Sequence, residues 1–233
     1  MRKFLIFFLI ISCSTIPTSA NAKTRIVVFA ASSLIEPFSE LGKRFEKKNP
    51  GNVVIFSFES SSILATQIVN GAKADIFVSA SPEDMLKVDK GFDYIKNRVV
   101  LAIPTKSKIT RISDLNGDVD WIQCSHEVPC GRAADSALRV EKITASPVSL
   151  EPNVKSGVSK LLMGEVDAAI IYNSDVVTNS KKLKAIEFGD RKSASTQYKI
   201  VQLRNSKIIT KLFSYLNSPE SLKFLDKKGF DSK

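Results

Sequence analysis

The sequence predicts an α/β fold with mainly parallel sheets, because strand-like apolar runs and helical patterns alternate along the chain. Its length of 233 residues allows one large domain or two lobes, and its hydrophobic content of 43% is typical of folded globular proteins. The sequence contains no repeat with a period of roughly 20 to 50 residues and no sustained heptad, which excludes solenoids and coiled coils.

Runs of β-branched and aromatic residues predict the strands, and apolar residues at helical spacing predict the helices. The predicted strands are residues 26–30, 53–58, 74–80, 99–103, 120–124, 168–172 and 198–203. The predicted helices are residues 34–45, 63–70, 154–164, 208–216 and 219–228, with one more beginning at 81–82. Ser33 with Glu36 three residues later matches a capping box, and Asn153 is placed to cap the helix that follows it.

Residues 1–22 are predicted to be an export signal rather than part of the fold. A basic start is followed by the apolar run 4–11 and then by small and polar residues. This run is shorter than the roughly 20 apolar residues that span a bilayer. Cleavage after Ala22 is favoured, and lipidation of Cys13 is the alternative. Either outcome places the folded part outside the cytoplasmic membrane, and we expect the periplasm.

The formal net charge of +10 predicts attraction of anions rather than binding of nucleic acid. Lys and Arg are scattered singly or in pairs, and the sequence has no basic helix, aromatic-interleaved stripe or zinc-finger spacing. Such pairs are typical of a solvated surface. We therefore expect no nucleic-acid partner.

Polar turns follow the first two predicted strands. Residues 32–33 are both serine, and residues 60–62 are three serines in a row. The carboxyl ends of parallel strands meet at one edge of a sheet, where ligands bind and helix N-termini present free N–H groups. Two such turns facing one another form an oxyanion site of neutral donors. Simple N-capping explains either cluster taken alone, whereas the pair favours a ligand.

Five segments carry a resemblance to a known family. They are FAASSL (29–34), SFESSS (57–62), GAKADIFVSA (71–80), EVPCGR (127–132) and AIIYNSD (169–175). In this order they resemble the periplasmic molybdate-binding proteins of ABC importers, and the similarity extends from about Thr24 to Phe230.

The resemblance implies a type II periplasmic-binding fold. Two α/β lobes, each a mainly parallel sheet flanked by helices, are joined by crossing hinge strands and hold one tetrahedral oxyanion between them. The implied first lobe is 24–98 plus 200–233, and the implied second lobe is 99–199. The implied function is capture of molybdate, and of tungstate, for delivery to a membrane permease. On this basis we expect a monomer that is not an enzyme and carries no cofactor.

The resemblance also implies five ligand-binding residues. Ser33 and Ser61 match hydroxyl and backbone donors of the first lobe. Cys130 and Val154 match backbone N–H donors, and Tyr172 matches a hydroxyl donor of the second lobe. Such a set suits molybdate, a dianion whose oxygens only accept hydrogen bonds, whereas the proton of phosphate needs an acceptor.

Glu59 and the cysteines bear on this site. Glu59 precedes the second serine cluster, and strand alternation predicts that its side chain points away from the ligand.

Once the signal is removed, Cys124 and Cys130 remain as an even pair in an oxidising compartment. They are predicted to form a disulfide that would fix the loop carrying Cys130, and two buried thiols are the alternative.

Other interpretations remain open. Sulfate or phosphate would suit a similar pocket. An exported serine hydrolase is less favoured, because the sequence has no Gly-x-Ser-x-Gly elbow and no Ser-x-x-Lys pair. A cation site is not expected either, because the single histidine, His126, has no second ligand at standard spacing.

Overall fold

The computed structural model describes residues 23–232. The predicted export signal at 1–22, with cleavage after Ala22 or lipidation of Cys13, lies outside the described residues. Within residues 23–232, no helix combines the length and apolar character needed to cross a membrane.

Nine strands and eight α-helices make up the described part of the chain. The strands are β1 (Thr24–Ala31), β2 (Asn52–Glu59), β3 (Ile76–Ser79), β4 (Phe92–Pro104), β5 (Trp121–Cys124), β6 (Ser149–Glu151), β7 (Ala168–Tyr172), β8 (Leu183–Ile186) and β9 (Ser195–Gln202). The helices are α1 (Ile35–Lys48), α2 (Ser61–Val69), α3 (Pro82–Leu86), α4 (Pro129–Val140), α5 (Val154–Met163), α6 (Asn173–Thr178), α7 (Lys207–Leu216) and α8 (Pro219–Asp226).

The sheet consists of two halves that share the long strand β4. The strand order is β2-β1-β3-β9-β4-β7-β5-β6, and β8 also pairs with β4. β1 is parallel to β2 and β3, and β5 is parallel to β6 and β7. The crossing strands β4 and β9 run antiparallel to their neighbours. The first part of β4 pairs with β9 and its second part with β7 and β8, so the sheet divides within this strand.

Two large hydrophobic cores confirm the predicted α/β fold with two lobes, and a third, smaller cluster packs α2 and α3 against the opposite face of the β1–β3 half of the sheet. One core packs α1 and the C-terminal helices against the β1–β3 half of the sheet, with Phe38, Phe45 and Tyr198 fully buried. The other surrounds Trp121 and includes the five buried residues of β7. We call β1–β3 with α1–α3, α7 and α8 the first lobe, and β5–β8 with α4–α6 the second lobe. The strands β4 and β9 join them.

The structure contains elements that the sequence patterns did not indicate. Helix α4 begins at Pro129, in the segment carrying Cys130 that the sequence analysis treated as a loop, and proline at the first helical position is a common start. Gly131 lies so close to the backbone of the preceding loop that an added Cβ would stand 1.9 Å from the Ser125 carbonyl oxygen. Position 131 therefore needs glycine because the adjacent backbone leaves no room for a side chain, and not because the chain turns there.

The capping box predicted for Ser33 and Glu36 is wrong. Residues Ser32–Leu34 form a short 3-10 turn, and α1 begins one residue later without a side-chain cap. The Ser33 hydroxyl instead bonds to the buried hydroxyl of Tyr198 at 2.6 Å. The predicted cap at Asn153 is confirmed, because its Oδ1 accepts from the N–H groups of Lys155 and Ser156.

Candidate functional site

A small cavity of about 10 Å³, measured as the space open to the centre of a water-sized sphere, lies between the two lobes. In the first lobe the cavity is lined by residues at or just after the ends of β1, β2 and β3. In the second lobe it is lined by the start of α4, which follows β5, by Asn153 after β6 and by Tyr172 at the end of β7. The lining residues are Ala31, Ser32, Ser33, Ser60, Ser61, Ala80, Pro129, Cys130, Asn153 and Tyr172. The structure therefore brings together four of the five predicted ligand-binding residues.

The first lobe supplies two buried serine hydroxyls. Ser61 begins α2, and its Oγ accepts the Ala80 N–H at 2.8 Å, so the hydroxyl hydrogen of Ser61 remains available to the cavity. The Ser33 Oγ lies 2.6 Å from the Tyr198 hydroxyl. Burial raises the pKa of Tyr198 well above its ordinary value, so this phenol keeps its proton. When Tyr198 donates to Ser33, the Ser33 hydrogen is also free for a ligand.

Tyr172 ends β7 and is 2% exposed. Its hydroxyl finds no hydrogen-bond partner of acceptable geometry among the described residues, and neither does the hydroxyl of Ser60. Burial raises the pKa of Tyr172, so this hydroxyl also stays protonated. A buried polar group without a partner is costly, and two of them in one cavity indicate a ligand that accepts hydrogen bonds.

The first turn of α4 brings Cys130 to the cavity. The predicted disulfide between Cys124 and Cys130 is present, with the two Cα atoms 5.7 Å apart. It links the end of β5 to the second residue of α4. The N–H groups of a helix's first turn lack partners within the helix, and the macrodipole favours an anion there. The disulfide thus fixes the position of an N–H donor.

Val154 is the one predicted site residue that is not among those lining the cavity. It is buried at the start of α5, next to Asn153, which does line the cavity. Sequence reasoning treated Asn153 only as a helix cap and did not single out Ser60 or Tyr198 for the site. The serine cluster was a signal for Ser60, whereas Tyr198 lies 165 positions from its partner Ser33.

No carboxylate is among the cavity-lining residues of the described chain. The nearest in sequence, Glu59, lies outside the lining, where its Oε1 accepts from the Ser60 N–H and from Asn153 Nδ2, both at 2.8 Å. Residues 23–232 also hold no cluster of three side chains suited to a metal ion. The cavity therefore offers neutral donors.

Polar contacts between the lobes surround the cavity. Arg132 of α4 donates to Asp84 of α3 at 2.7 Å and to the Ser81 hydroxyl at 2.9 Å. On another side, Lys155 of α5 lies 2.6 Å from both Glu36 of α1 and Asp175 of α6. The lobes are thus in contact around the cavity, which is a closed arrangement.

The sequence matches the family model described as bacterial extracellular solute-binding protein over residues 26–231. The chain is 31% identical to the molybdate-binding protein of Mycobacterium tuberculosis, over 88% of this chain and 84% of that one. It is 32% identical to the molybdate-binding protein of Escherichia coli, over 90% of each chain. The structure of the periplasmic molybdate-binding protein of Azotobacter vinelandii superposes with a TM-score of 0.75 at 20% identity, covering 88% of this chain and 98% of that one. This last likeness concerns the fold.

Proposed function

The chain belongs to the bacterial extracellular solute-binding protein family, and from that premise we propose that it captures molybdate between its lobes for an ABC importer. Tungstate, nearly equal in size and charge, would bind in the same way. The observation that carries the proposal is a cavity lined by neutral donors, two of whose buried hydroxyls have no partner among the described residues. A fully deprotonated dianion satisfies those donors and needs no acceptor in return.

The ligand set that we propose is Ser33, Ser61, Cys130, Val154 and Tyr172. The serines and Tyr172 donate hydroxyl hydrogens, while the starts of α2, α4 and α5 contribute N–H groups. A hydrogen bond to a charged acceptor contributes roughly 1.5 to 3 kcal/mol, so several together offset dehydration of the anion. Because the donors come from both lobes, the anion binds the closed form better than an open one.

We propose that the lobes comprise residues 24–98 plus 200–233 and residues 99–199. The separate cores support this division near residue 99, whereas the packing of Tyr198 with the first core favours a return crossing a few residues before 200. Rotation would bend the chain in β4 and at the start of β9. The closed form would then present both lobes together to a membrane permease.

Calorimetry on residues 23–233 with molybdate, tungstate, sulfate and phosphate tests the proposed ligand. We expect tight binding of molybdate and tungstate and little binding of the other two. Tight sulfate or phosphate binding without molybdate binding would contradict the proposal. Small-angle scattering should show compaction on adding molybdate, and an unchanged profile would contradict closure.

The remaining expectations belong to the same proposal. The protein would act as a periplasmic monomer, without a cofactor or catalytic activity. The serine-hydrolase alternative predicts turnover of an ester that is lost in Ser61→Ala, whereas a binding protein shows no turnover. Sedimentation of the exported chain, with and without molybdate, tests the monomer.

A further inference from the structure

Glu59 is a carboxylate at the edge of a cavity whose lining consists of neutral groups. It is the last residue of β2, in the first lobe. Its Oε1 atom accepts two hydrogen bonds of 2.8 Å, from the Ser60 N–H of its own lobe and from Asn153 Nδ2 of the second lobe. Both donor residues line the cavity, although Glu59 itself does not.

The Asn153 side chain is held in one orientation. Its Oδ1 accepts from the N–H groups of Lys155 at 3.0 Å and Ser156 at 3.2 Å. A reversed amide would turn its NH₂ group towards these N–H groups and its oxygen towards the Glu59 carboxylate, and both contacts would be repulsive. The amide thus links the end of β2 to the first turn of α5, across the boundary between the lobes.

We propose that Glu59 is a positioning residue for the oxyanion site: its carboxylate oxygen holds the Asn153 amide and thereby stabilises the closed form. This inference rests on the proposed function. The contact joins the two lobes only when they meet, so its hydrogen bond favours the state that surrounds the anion. It also fixes the first turn of α5, where the proposed donor Val154 lies.

The negative charge of Glu59, in contrast to its hydrogen bond, should weaken binding of the anion. A negative group close to the cavity repels a dianion, and the repulsion weakens with distance and with screening by solvent. A neutral acceptor of the same shape would hold Asn153 without that repulsion. The contribution of the hydrogen bond and the contribution of the charge are therefore separable by substitution.

Glu59→Gln and Glu59→Ala form a matched pair for this test. Both remove the charge, but only Gln keeps an oxygen that can accept from Asn153. We expect the dissociation constant for molybdate, measured by calorimetry, to be about three- to tenfold higher in Glu59→Ala than in Glu59→Gln, as one net hydrogen bond predicts. Glu59→Gln should bind at least as tightly as wild type, because the repulsion is gone.

Two controls distinguish positioning from a general loss of structure. Glu165→Ala removes an exposed carboxylate elsewhere in the second lobe and should leave binding unchanged. Thermal unfolding of the ligand-free proteins reports the bond from the Ser60 N–H within the first lobe, which only Glu59→Ala loses, so its midpoint should lie no more than a few degrees below that of Glu59→Gln and both should be fully folded during calorimetry. If Glu59→Ala folds poorly, Glu59→Ser provides a second truncation with the same expectation.

The outcomes are distinct. Equal affinities of Glu59→Ala and Glu59→Gln would overturn the positioning role, and an equal increase in both affinities would mean that Glu59 acts by charge alone. If wild type binds sulfate and not molybdate, the proposed function is wrong, and the same Ala-to-Gln ratio measured with sulfate decides the role of Glu59. If wild type binds no oxyanion, both proposals are wrong.

Discussion

The two lobes build their sides of the cavity in different ways. In the first lobe, Ser33 and Ser61 each lie two positions after the end of a strand, so short turns place them. In the second lobe, Tyr172 is itself the end of β7, Asn153 lies two positions after β6, and Cys130 lies six positions after β5. Similar donor positions thus arise from different local structures.

The difference concerns what holds each donor in place. Ser33 and Ser61 are each held by a short turn and by one hydrogen bond, with the Tyr198 hydroxyl and with the Ala80 N–H respectively. The second lobe adds a disulfide at Cys130, whereas Tyr172 is held by the strand that it ends. The six-residue connection to Cys130 has more conformations to lose on ordering than a two-residue turn, which accounts for an added constraint at that position. Substitutions in the two lobes should therefore weaken molybdate binding by different routes.

The largest expected effect is that of Ser61→Ala in the first lobe. The change removes the hydroxyl donor and also leaves the buried Ala80 N–H without its acceptor. We expect molybdate affinity to fall about 10- to 100-fold, with lower stability of the ligand-free protein. Calorimetry and thermal unfolding measure both. The control is Ser146→Ala at an exposed position, and equal behaviour of the two variants would contradict the assignment.

Tyr172→Phe should separate binding from stability in the second lobe. The phenol makes no hydrogen bond of acceptable geometry among the described residues, although Thr196 and Tyr198 are near, so its loss removes a donor to the anion without breaking a well-formed protein hydrogen bond. Affinity for molybdate should fall about tenfold, while the unfolding midpoint of the ligand-free protein stays the same or rises. A parallel loss of stability would show instead that the hydroxyl has a structural partner.

Removing the disulfide by Cys124→Ala with Cys130→Ala should weaken binding less. In the chain-entropy model a loop of this length contributes about 2 kcal/mol to the free energy of unfolding. Loosening the loop that carries the Cys130 N–H should lower molybdate affinity by only about two- to tenfold. Urea unfolding and calorimetry test this, with reductant on wild type as an independent route. An unchanged affinity in both experiments would mean that the loop is fixed without the bridge.

Asp175 is expected to have the smallest effect on molybdate affinity, because it lies outside the cavity lining, and its effect is on how stability depends on pH. Burial raises its pKa to about 6 from an ordinary 3.8, against the opposing effect of Lys155. Between these values the folded protein binds a proton that the unfolded chain does not, so this group's contribution to stability decreases as pH rises. The unfolding free energy of wild type minus that of Asp175→Asn should therefore decrease between pH 4 and 6. Urea unfolding at several pH values measures it, and a constant difference would contradict the assignment.

How far the sequence predicts the molecule depends on how local each feature is. The serine turns could be predicted because each cluster directly follows its strand, and the family resemblance added Cys130 and Tyr172. Helix α4 was missed because Pro129 and Gly131 are residues typical of loops, whereas here one begins the helix and the other permits a close approach. The capping role given to Ser33 was wrong because its true partner is distant in sequence. Long-range hydrogen bonds leave no trace in local spacing.

The bond between Ser33 and Tyr198 has a mechanical consequence. Tyr198 belongs to β9, a strand that connects the lobes, and its ring also packs edge-on against Phe230 near the end of the described chain. Ser33, which we propose as a ligand of the anion, is thereby linked to β9 and, through the contact between Tyr198 and Phe230, to the C-terminal segment. If the lobes rotate as we propose, loading and release of an ion a few ångströms wide would be coupled to the strand that bends when the protein opens.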